Sequence, residues 1–220
     1  MKSLLKVEFH SHTTFSKDSL TPIERLLQAA RRAGVDRLVI TDHNTIRGAL
    51  LAKAIDPELV IVGEELLTNR GELLLAYVQE ELPRGIDYLE AIRCLRQQGA
   101  FISVSHPYDR RRHGWELPDL RTIAPLVDAI EVFNARCQWA GLNQQAADFA
   151  AQHHLAGTAG SDAHTPQEVG RATLTLPYFD SADGLRAVIR QGKLEGRLSS
   201  PWIHLTSTYA RLVKRMRGKK

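Results

Sequence analysis

Near its N-terminus the sequence runs Val7-Glu8-Phe9-His10-Ser11-His12, an apolar stretch that ends in two histidines one residue apart. Side chains of extended backbone alternate between faces, so His10 and His12 project to the same side, within reach of one metal ion. An HxH pair alone says little, because neighbouring histidines are commonly ordinary surface or core residues. Here the pattern recurs. Val39-Ile40 leads into Thr41-Asp42-His43, Gly63 into Glu64-Glu65, Ser103-Val104 into Ser105-His106-Pro107, and Gly160 into Ser161-Asp162-Ala163-His164. Asp162 and His164 repeat the same-face geometry where the chain stays extended. Asp18 follows in the polar loop Ser16-Lys17-Asp18-Ser19, whose composition is also that of a simple turn. Five of the nine histidines therefore stand close to the end of an apolar run, beside a carboxylate or another histidine. Imidazole and carboxylate without thiolate suit Zn²⁺, Mn²⁺ or Fe²⁺. More donors than one tetrahedral ion needs point to two or three ions with shared carboxylates, which activate water and clamp both oxygens of an in-line phosphoryl displacement.

The elements that must carry these groups are legible as alternating patterns. Strands are expected over 4–9, 37–41, 59–63, 72–78, 101–105, 129–133 and 156–160, and helices over 22–33, 46–54, 87–98 and 143–153. Thr21-Pro22 with Glu24 reads as an N-cap, a proline at the first helical position and an early acidic residue, while Gly34 and Gly99 fall where helix C-caps belong. Strand–helix alternation argues for parallel strands with crossover helices. Seven strands can close as a barrel or lie open as a doubly wound sheet. No glycine-rich phosphate loop follows the first strand, which disfavours a nucleotide-binding open sheet. The recurrence of polar groups just after the strands favours a barrel, where such positions hold the active site. No linker, repeat or low-complexity segment interrupts the pattern, so one domain is expected over 1–210, followed by a basic tail over 211–220.

Composition sets wider limits. The 220 residues, 43% hydrophobic and 25% charged, suit a globular domain. No apolar run approaches the ~20 residues of a membrane helix, and the short N-terminal apolar stretch is broken by Glu8, so a cytoplasmic protein without a membrane partner is expected. Cys94 and Cys137 have neither redox nor zinc-ribbon spacing and read as reduced bystanders. The net charge of +4 leans towards anionic ligands, and much of the excess sits in Arg211, Lys214, Arg215, Arg217, Lys219 and Lys220. Those residues read either as a solvated helical tail or as an electrostatic lure for phosphorylated substrates or nucleic acid.

Taken together, the motifs resemble the polymerase-and-histidinol-phosphatase (PHP) family. Its opening HxHTxxSxD stands here as His10-Ser11-His12-Thr13-Thr14-Phe15-Ser16-Lys17-Asp18. Its TDH matches Thr41-Asp42-His43, its GxE matches Gly63-Glu64-Glu65, its SHP matches Ser105-His106-Pro107 and its SDAH matches Ser161-Asp162-Ala163-His164. The motifs follow family order from residue 7 to residue 164. The resemblance implies an α/β fold, a distorted (β/α)₇ TIM-like barrel, with two or three Zn, Mn or Fe ions and hydrolysis of phosphate esters. It implies that His10, His12, Glu65 and Asp162 hold one ion, that Glu65 bridges to a second held by His106, and that Asp18, His43 and His164 hold a third. Many members carry a further histidine on the strand after GxE; here that strand reads Glu72-Leu73-Leu74-Leu75-Ala76-Tyr77-Val78, with no ligand expected on it.

Further segments resemble the small stand-alone phosphoesterases of the family: His106–Arg110, Ile130–Arg136 and Glu168–Arg171. Arg136 and Arg171 are candidate phosphate clamps, since a planar guanidinium matches phosphate oxygens bidentately; Arg110 with Arg111 and Arg112 could contribute, and a surface charge explains each equally well. Asn134 is a candidate to orient ligand or water, and Asp42 to orient a neighbouring histidine. His113, His153, His154 and His204 match no motif and are given no role. The expected function is hydrolysis of a small phosphomonoester or nucleotide by metal-activated hydroxide. The alternatives are a 5′→3′ exonuclease or nucleotide-bisphosphate phosphatase acting on nucleic acid or nucleotides, and a non-catalytic metal-binding regulatory barrel. The sequence leaves the oligomeric state open.

Overall fold

The structure is a computed structural model and describes residues 3–217. All seven expected strands form: β1 (Leu4–Glu8), β2 (Arg37–Ile40), β3 (Val60–Leu67), β4 (Glu72–Ala76), β5 (Phe101–Val104), β6 (Ala129–Asn134) and β7 (Ala156–Gly160). The four expected helices form as α1 (Ile23–Arg32), α2 (Arg47–Ile55), α3 (Tyr88–Gln97) and, after the short α4 (Leu117–Ile123), α5 (Ala140–Gln152). Beyond β7 the chain adds β8 (Ala172–Pro177), α6 (Ala182–Val188), β9 (Lys193–Gly196) and α7 (Ile203–Arg217), where the sequence reading had offered no element before a helical tail from residue 211. Gly34 and Gly99 take φ of 69° and 75° one residue past the caps Ala33 and Gln98, as C-terminal glycines do. The cap of α1 is a correction: Pro22 occupies it, while the Thr21 hydroxyl donates to the His164 carbonyl at 2.7 Å.

The sheet runs β7-β6-β5-β4-β3-β2-β1-β8-β9. Beyond the strand ends, Ser11 bridges Ala163, with the His12 amide donating to the Ala163 carbonyl at 2.8 Å. That contact brings the β7 end back to the β1 end and nearly closes a barrel, with β8 and β9 attached antiparallel outside β1. The expectation of parallel strands throughout is corrected at one place: β4 runs antiparallel to both β3 and β5. A parallel return needs a crossover of a dozen or more residues. Residues 68–71 leave room only for a turn, closed by the Thr68 amide and hydroxyl on the Gly71 carbonyl at 3.0 and 2.7 Å. β4 therefore begins, with Glu72, at the end of the barrel where its neighbours finish.

Strand alternation sorts the core. Val39, Leu74 and Phe101 pack in an inner apolar cluster, while Leu38, Ile40, Leu73, Leu75 and Ile102 pack outward under the helices. Burying apolar area contributes ~25 cal/mol per Å², so a one-residue slip of register would exchange these two sets at large cost. The inner cluster plugs the barrel and leaves its polar end for side chains from the strand tips. Among the described residues, Cys94 and Cys137 are free thiols.

Candidate metal centre

Eight side chains singled out from the motifs converge at this end. His10 and His12, one strand step apart, both reach inward, their ring centroids 5.1 Å apart. His10 Nε2 lies 3.3 Å from Glu65 Oε2 and 3.7 Å from Asp162 Oδ1; His12 Nε2 lies 3.5 and 3.3 Å from the same two oxygens. Donors of a tetrahedral shell with bonds of about 2.0–2.1 Å stand roughly 3.4 Å apart, so these spacings are those of one such shell. Asp18 Oδ1 lies 3.4 Å from His43 Nε2 and 3.2 Å from His164 Nε2. His106 Nε2 lies 2.9 Å from Glu65 Oε1, and Glu65 Oε2 lies 3.0 Å from His43 Nδ1, so the two Glu65 oxygens face different neighbours. Buried His10 Nε2, His12 Nε2 and Asp18 Oδ1 have no hydrogen-bond partner, although buried polar atoms are normally satisfied. This donor set fits divalent cations.

The chain of Asp162 corrects one expectation. It is not extended: Asp162 has φ 53°, and its carboxylate reaches the cluster from a left-handed turn after β7 ends at Gly160. A non-glycine residue in that region costs of order 1 kcal/mol, which the surrounding bonds must hold. Gly160 itself is required by proximity, since a Cβ there would sit 2.3 Å from His10 Cβ.

A second correction concerns the strand after GxE. Glu72 is buried, with Oε2 3.6 Å from His106 Nε2 and Oε1 3.9 Å from His43 Nδ1. His43, Glu65 and Glu72 form one of three groups whose donor atoms all lie within 4.8 Å of one another; the others are His10, His12, Asp162 and His12, His43, His164. The sequence reading looked on this strand for a further histidine and, finding none, expected no ligand; an antiparallel β4 starts at the metal end and brings Glu72 there. The short turn 68–71 was the signal for the reversal.

Support behind the cluster comes from residues with no assigned motif role. Glu131, in the apolar run Ala129–Phe133, meets His10 Nδ1 at 3.0 Å and accepts from the His106 amide at 2.9 Å. Glu8 accepts from the Ser161 amide and hydroxyl and from the Gly170 amide, holding the β7–β8 connection. A buried acid within an apolar strand was the available signal for both. Asp42 does not touch a histidine side chain directly. It accepts from the Thr13 amide and hydroxyl and from Ser16 Oγ, and Ser16 Oγ contacts His12 Nδ1 at 2.9 Å, so its hold on that ring passes through Ser16. Asn134 Nδ2 donates to Glu131 at 3.0 Å and Asp162 at 3.2 Å, and thus binds the cluster's own carboxylates.

Electrostatics follow from this crowding. Burial works to raise the Glu65 and Asp162 carboxyls, but His10 and further neighbours outweigh it and hold both well below the carboxylate range. Burial, reinforced by the Glu65 charge, pushes Glu72 up to about 7. Burial, with Arg136 and His12 adding to it, lowers His164 to about 4, leaving the neutral imidazole that a metal requires. On the opposite face of β3, Glu64 has both oxygens buried without a partner, and burial with the nearby Glu81 charge pushes it up to about 8.

Above the cluster opens a cavity of about 290 Å³, lined by Asp18, His43, Glu65, Glu72, His106, Asp162 and His164 together with Lys17, Arg111, Arg112, Arg136 and Arg211. The arginines sort differently from their expected places. Of the triplet, Arg112 stands beside the cluster, paired with Asp162 and, at 2.8 Å, with Asp109. Arg110 is exposed and pairs with Glu116, and Arg171 is half-buried, with neither among the lining residues. Arg136 is buried and holds α7, donating to Ser207 Oγ at 2.8 Å and the Ile203 carbonyl at 3.2 Å. His113 and His204, given no role on sequence, both line the cavity; His153 stacks on Phe149 at the end of α5, and His154 follows with φ 54°.

Comparison with known sequences places this assembly. The PHP domain model matches residues 8–104, and the PHP-associated C-terminal model matches residues 141–194. The chain belongs to the PHP family. It is 34% identical over 172 residues to an uncharacterized protein, MJ0417, of Methanocaldococcus jannaschii, covering 76% of this chain and 69% of that protein. Among solved structures, PsfC of Pseudomonas syringae superposes with a TM-score of 0.72 at 21% identity, covering 96% of this chain and 99% of PsfC. A Bifidobacterium adolescentis protein described as a metal-dependent phosphoesterase gives 0.60 at 16% identity over 72% of this chain and 87% of its own. Endonuclease Q from Pyrococcus furiosus gives 0.63 at 17% identity over 87% of this chain and 57% of the endonuclease. These structural likenesses establish the barrel-like fold. Among the described residues no helix is long and apolar enough to cross a membrane.

Proposed function

We propose that the chain is a metal-dependent phosphoesterase acting on a small phosphomonoester or nucleotide. The observation that carries this reading is the joint arrangement of three His/carboxylate groups under a cavity whose walls carry five Lys and Arg side chains. His10, His12, Glu65 and Asp162 would hold one divalent ion, Glu65, His106 and Glu72 a second, and Asp18, His43 and His164 a third, with Mn, Zn or Fe as the ions. Such ions supply an activated water and neutralise the leaving oxygen of an in-line displacement. Arg112 and Arg136 would bind non-bridging phosphate oxygens, Glu131 and Ser16 would hold the rings of His10 and His12 with their Nε2 atoms turned inward, and Asn134 would fix Asp162. Arg110 and Arg171, placed away from the cavity, are secondary candidates.

The cavity's size favours a small substrate over a polymer, while the fold's likeness to endonuclease Q keeps nucleic acid in view as a second reading. The test is elemental analysis of the purified protein, followed by hydrolysis of phosphorylated metabolites, nucleotides and short oligonucleotides with Mn²⁺ and with chelator. Chelator-sensitive release of phosphate from small esters is expected. Activity confined to oligonucleotides would favour the exonuclease reading, and metal binding without hydrolysis on the whole panel would favour a regulatory barrel.

A further inference from the structure

The C-terminal helix has two faces, and the proposed chemistry uses only one. On the inner face Ser207 and Ala210 are buried, Ser207 receives Arg136, and the Lys214 ammonium donates to the Thr14 and Ser16 carbonyls. His204, Ser207, Thr208 and Arg211 line the cavity. Trp202, in the turn that leads into the helix, and Leu205, Tyr209, Leu212 and Met216 on its outer face are all exposed, by 76, 60, 63, 55 and 56%. Their spacing is three, four, three and four residues, the repeat of a two-helix seam. Large apolar residues set in a row on an exposed surface mark an interaction site, whereas scattered ones are ordinary.

The occupant follows from width, charge and area. A stripe limited to such positions is the narrow seam of helix pairing, and the exposed Thr206 and Thr208 interrupt the broader apolar face that a helix lying on lipid presents. From Gly196 onward the sequence has seven Lys and Arg and no Asp or Glu, and α7 keeps its charges in its second half, from Arg211. A parallel pair would set these like charges side by side. An antiparallel pair centred on Tyr209 opposes Trp202 to Met216 and Leu205 to Leu212. It also separates residues 214–217 of the two helices by about 15–24 Å along the axis, beyond a Debye length of ~8 Å. Removing the five side chains from water would bury roughly 600 Å² per copy, about 1,200 Å² for a pair, the lower bound of stable specific interfaces. We infer that two copies of this chain pair through an antiparallel, two-fold contact of α7. The contact closes on itself, and it braces the helix that walls the cavity.

Sedimentation or light scattering of the full chain at ~10–100 µM tests this. The expected mass is twice the 24.6 kDa of one chain, falling to one chain in Leu205→Glu/Leu212→Glu. On a Cys94→Ser background, oxidation of Trp202→Cys mixed with Met216→Cys should give a disulfide-linked pair, and Trp202→Cys alone should not. A single-chain mass throughout the range overturns the inference, as does a dimer that survives the double glutamate variant. So does cross-linking of Trp202→Cys to itself. A single-chain species that floats with anionic phosphatidylserine vesicles would assign the stripe to a lipid surface instead.

Discussion

At the level of single residues, Glu64 and Glu65 are adjacent acids on opposite faces of β3. Glu65 offers its oxygens to His10, His12, His43 and His106, whereas Glu64 is buried with no partner at all. Glu65→Gln should lose at least one ion per chain and most activity; Glu64→Gln should keep both, as metal analysis and kcat would report. Glu64 also has a stability signature. Its folded pKa of about 8 lies above the ordinary value of 4.5, so its contribution is fully present below about pH 4.5 and is lost as pH rises through about 8. The melting temperature of wild type should fall as pH rises over that window, and Glu64→Gln should flatten the fall. Loss of metal in Glu64→Gln would move the register of β3 by one residue. The arginine triplet gives a second contrast. Arg112 pairs with Asp162 at the cavity wall and Arg110 with Glu116 outside it, so Arg112→Ala should lower kcat/KM by ~10- to 100-fold, the loss of a charged hydrogen bond worth ~1.5–3 kcal/mol, and Arg110→Ala should not. Equal effects in the two variants would remove Arg112 from substrate binding.

At the level of elements, β4 and α7 decide what the site contains. The turn 68–71 sends β4 back through the barrel and sets Glu72 beside His106, so Glu72→Gln should reduce metal content without emptying the His10–His12–Asp162 group. Retention of full metal by Glu72→Gln would exclude it from the ligands. The basic segment set apart on sequence from residue 211 is, through Arg217, the second half of α7; Lys219 and Lys220 lie outside the described residues. Because Arg211 lines the cavity and Lys214 is tied to the Thr14 and Ser16 carbonyls, deleting residues 211–220 should raise KM for a small phosphoester and lower the melting temperature. Unchanged KM and melting temperature would return this segment to the role of a solvated tail.

At the level of the whole molecule, the cluster ties together strand tips from every side of the barrel. His10 and His12 follow β1, His43 follows β2, Glu65 is in β3, Glu72 opens β4, His106 follows β5, and Asp162 and His164 follow β7. An ion bound there acts on the folded state alone and stabilises it by RT ln(1 + [L]/Kd), about 2.7 kcal/mol at 100 Kd. Chelation should therefore lower the melting temperature by several degrees, on the order of 2–4 °C per kcal/mol for a chain of this size, and Mn²⁺ should restore it. A melting curve indifferent to chelator would argue against metals at the centre.

The sequence by itself determined the strands that carry the cluster and singled out eight of the side chains that gather there, but not Glu72. Those signals are local: apolar runs of strand length, each ending in histidine or carboxylate, in a fixed order along the chain. Tertiary structure alone decided which donors share a cation-sized space and what stands behind them. Glu131 reads in the chain as an acid stranded among apolar residues, and becomes the partner of His10 only when β6 and β1 face each other across the barrel, 121 residues apart in sequence. Glu72 reaches His106 through the reversal of β4, and Arg112 rather than Arg110 meets Asp162 through the 3-10 turn over Arg110–Arg112. α7 is held over the cavity by pairings such as Arg136 to Ser207, across 71 residues, and Lys214 to the Thr14 carbonyl, across 200. Pairings at such separations are set by the closure of the barrel and by which buried polar atoms must find partners, and no periodicity within a window of residues encodes them.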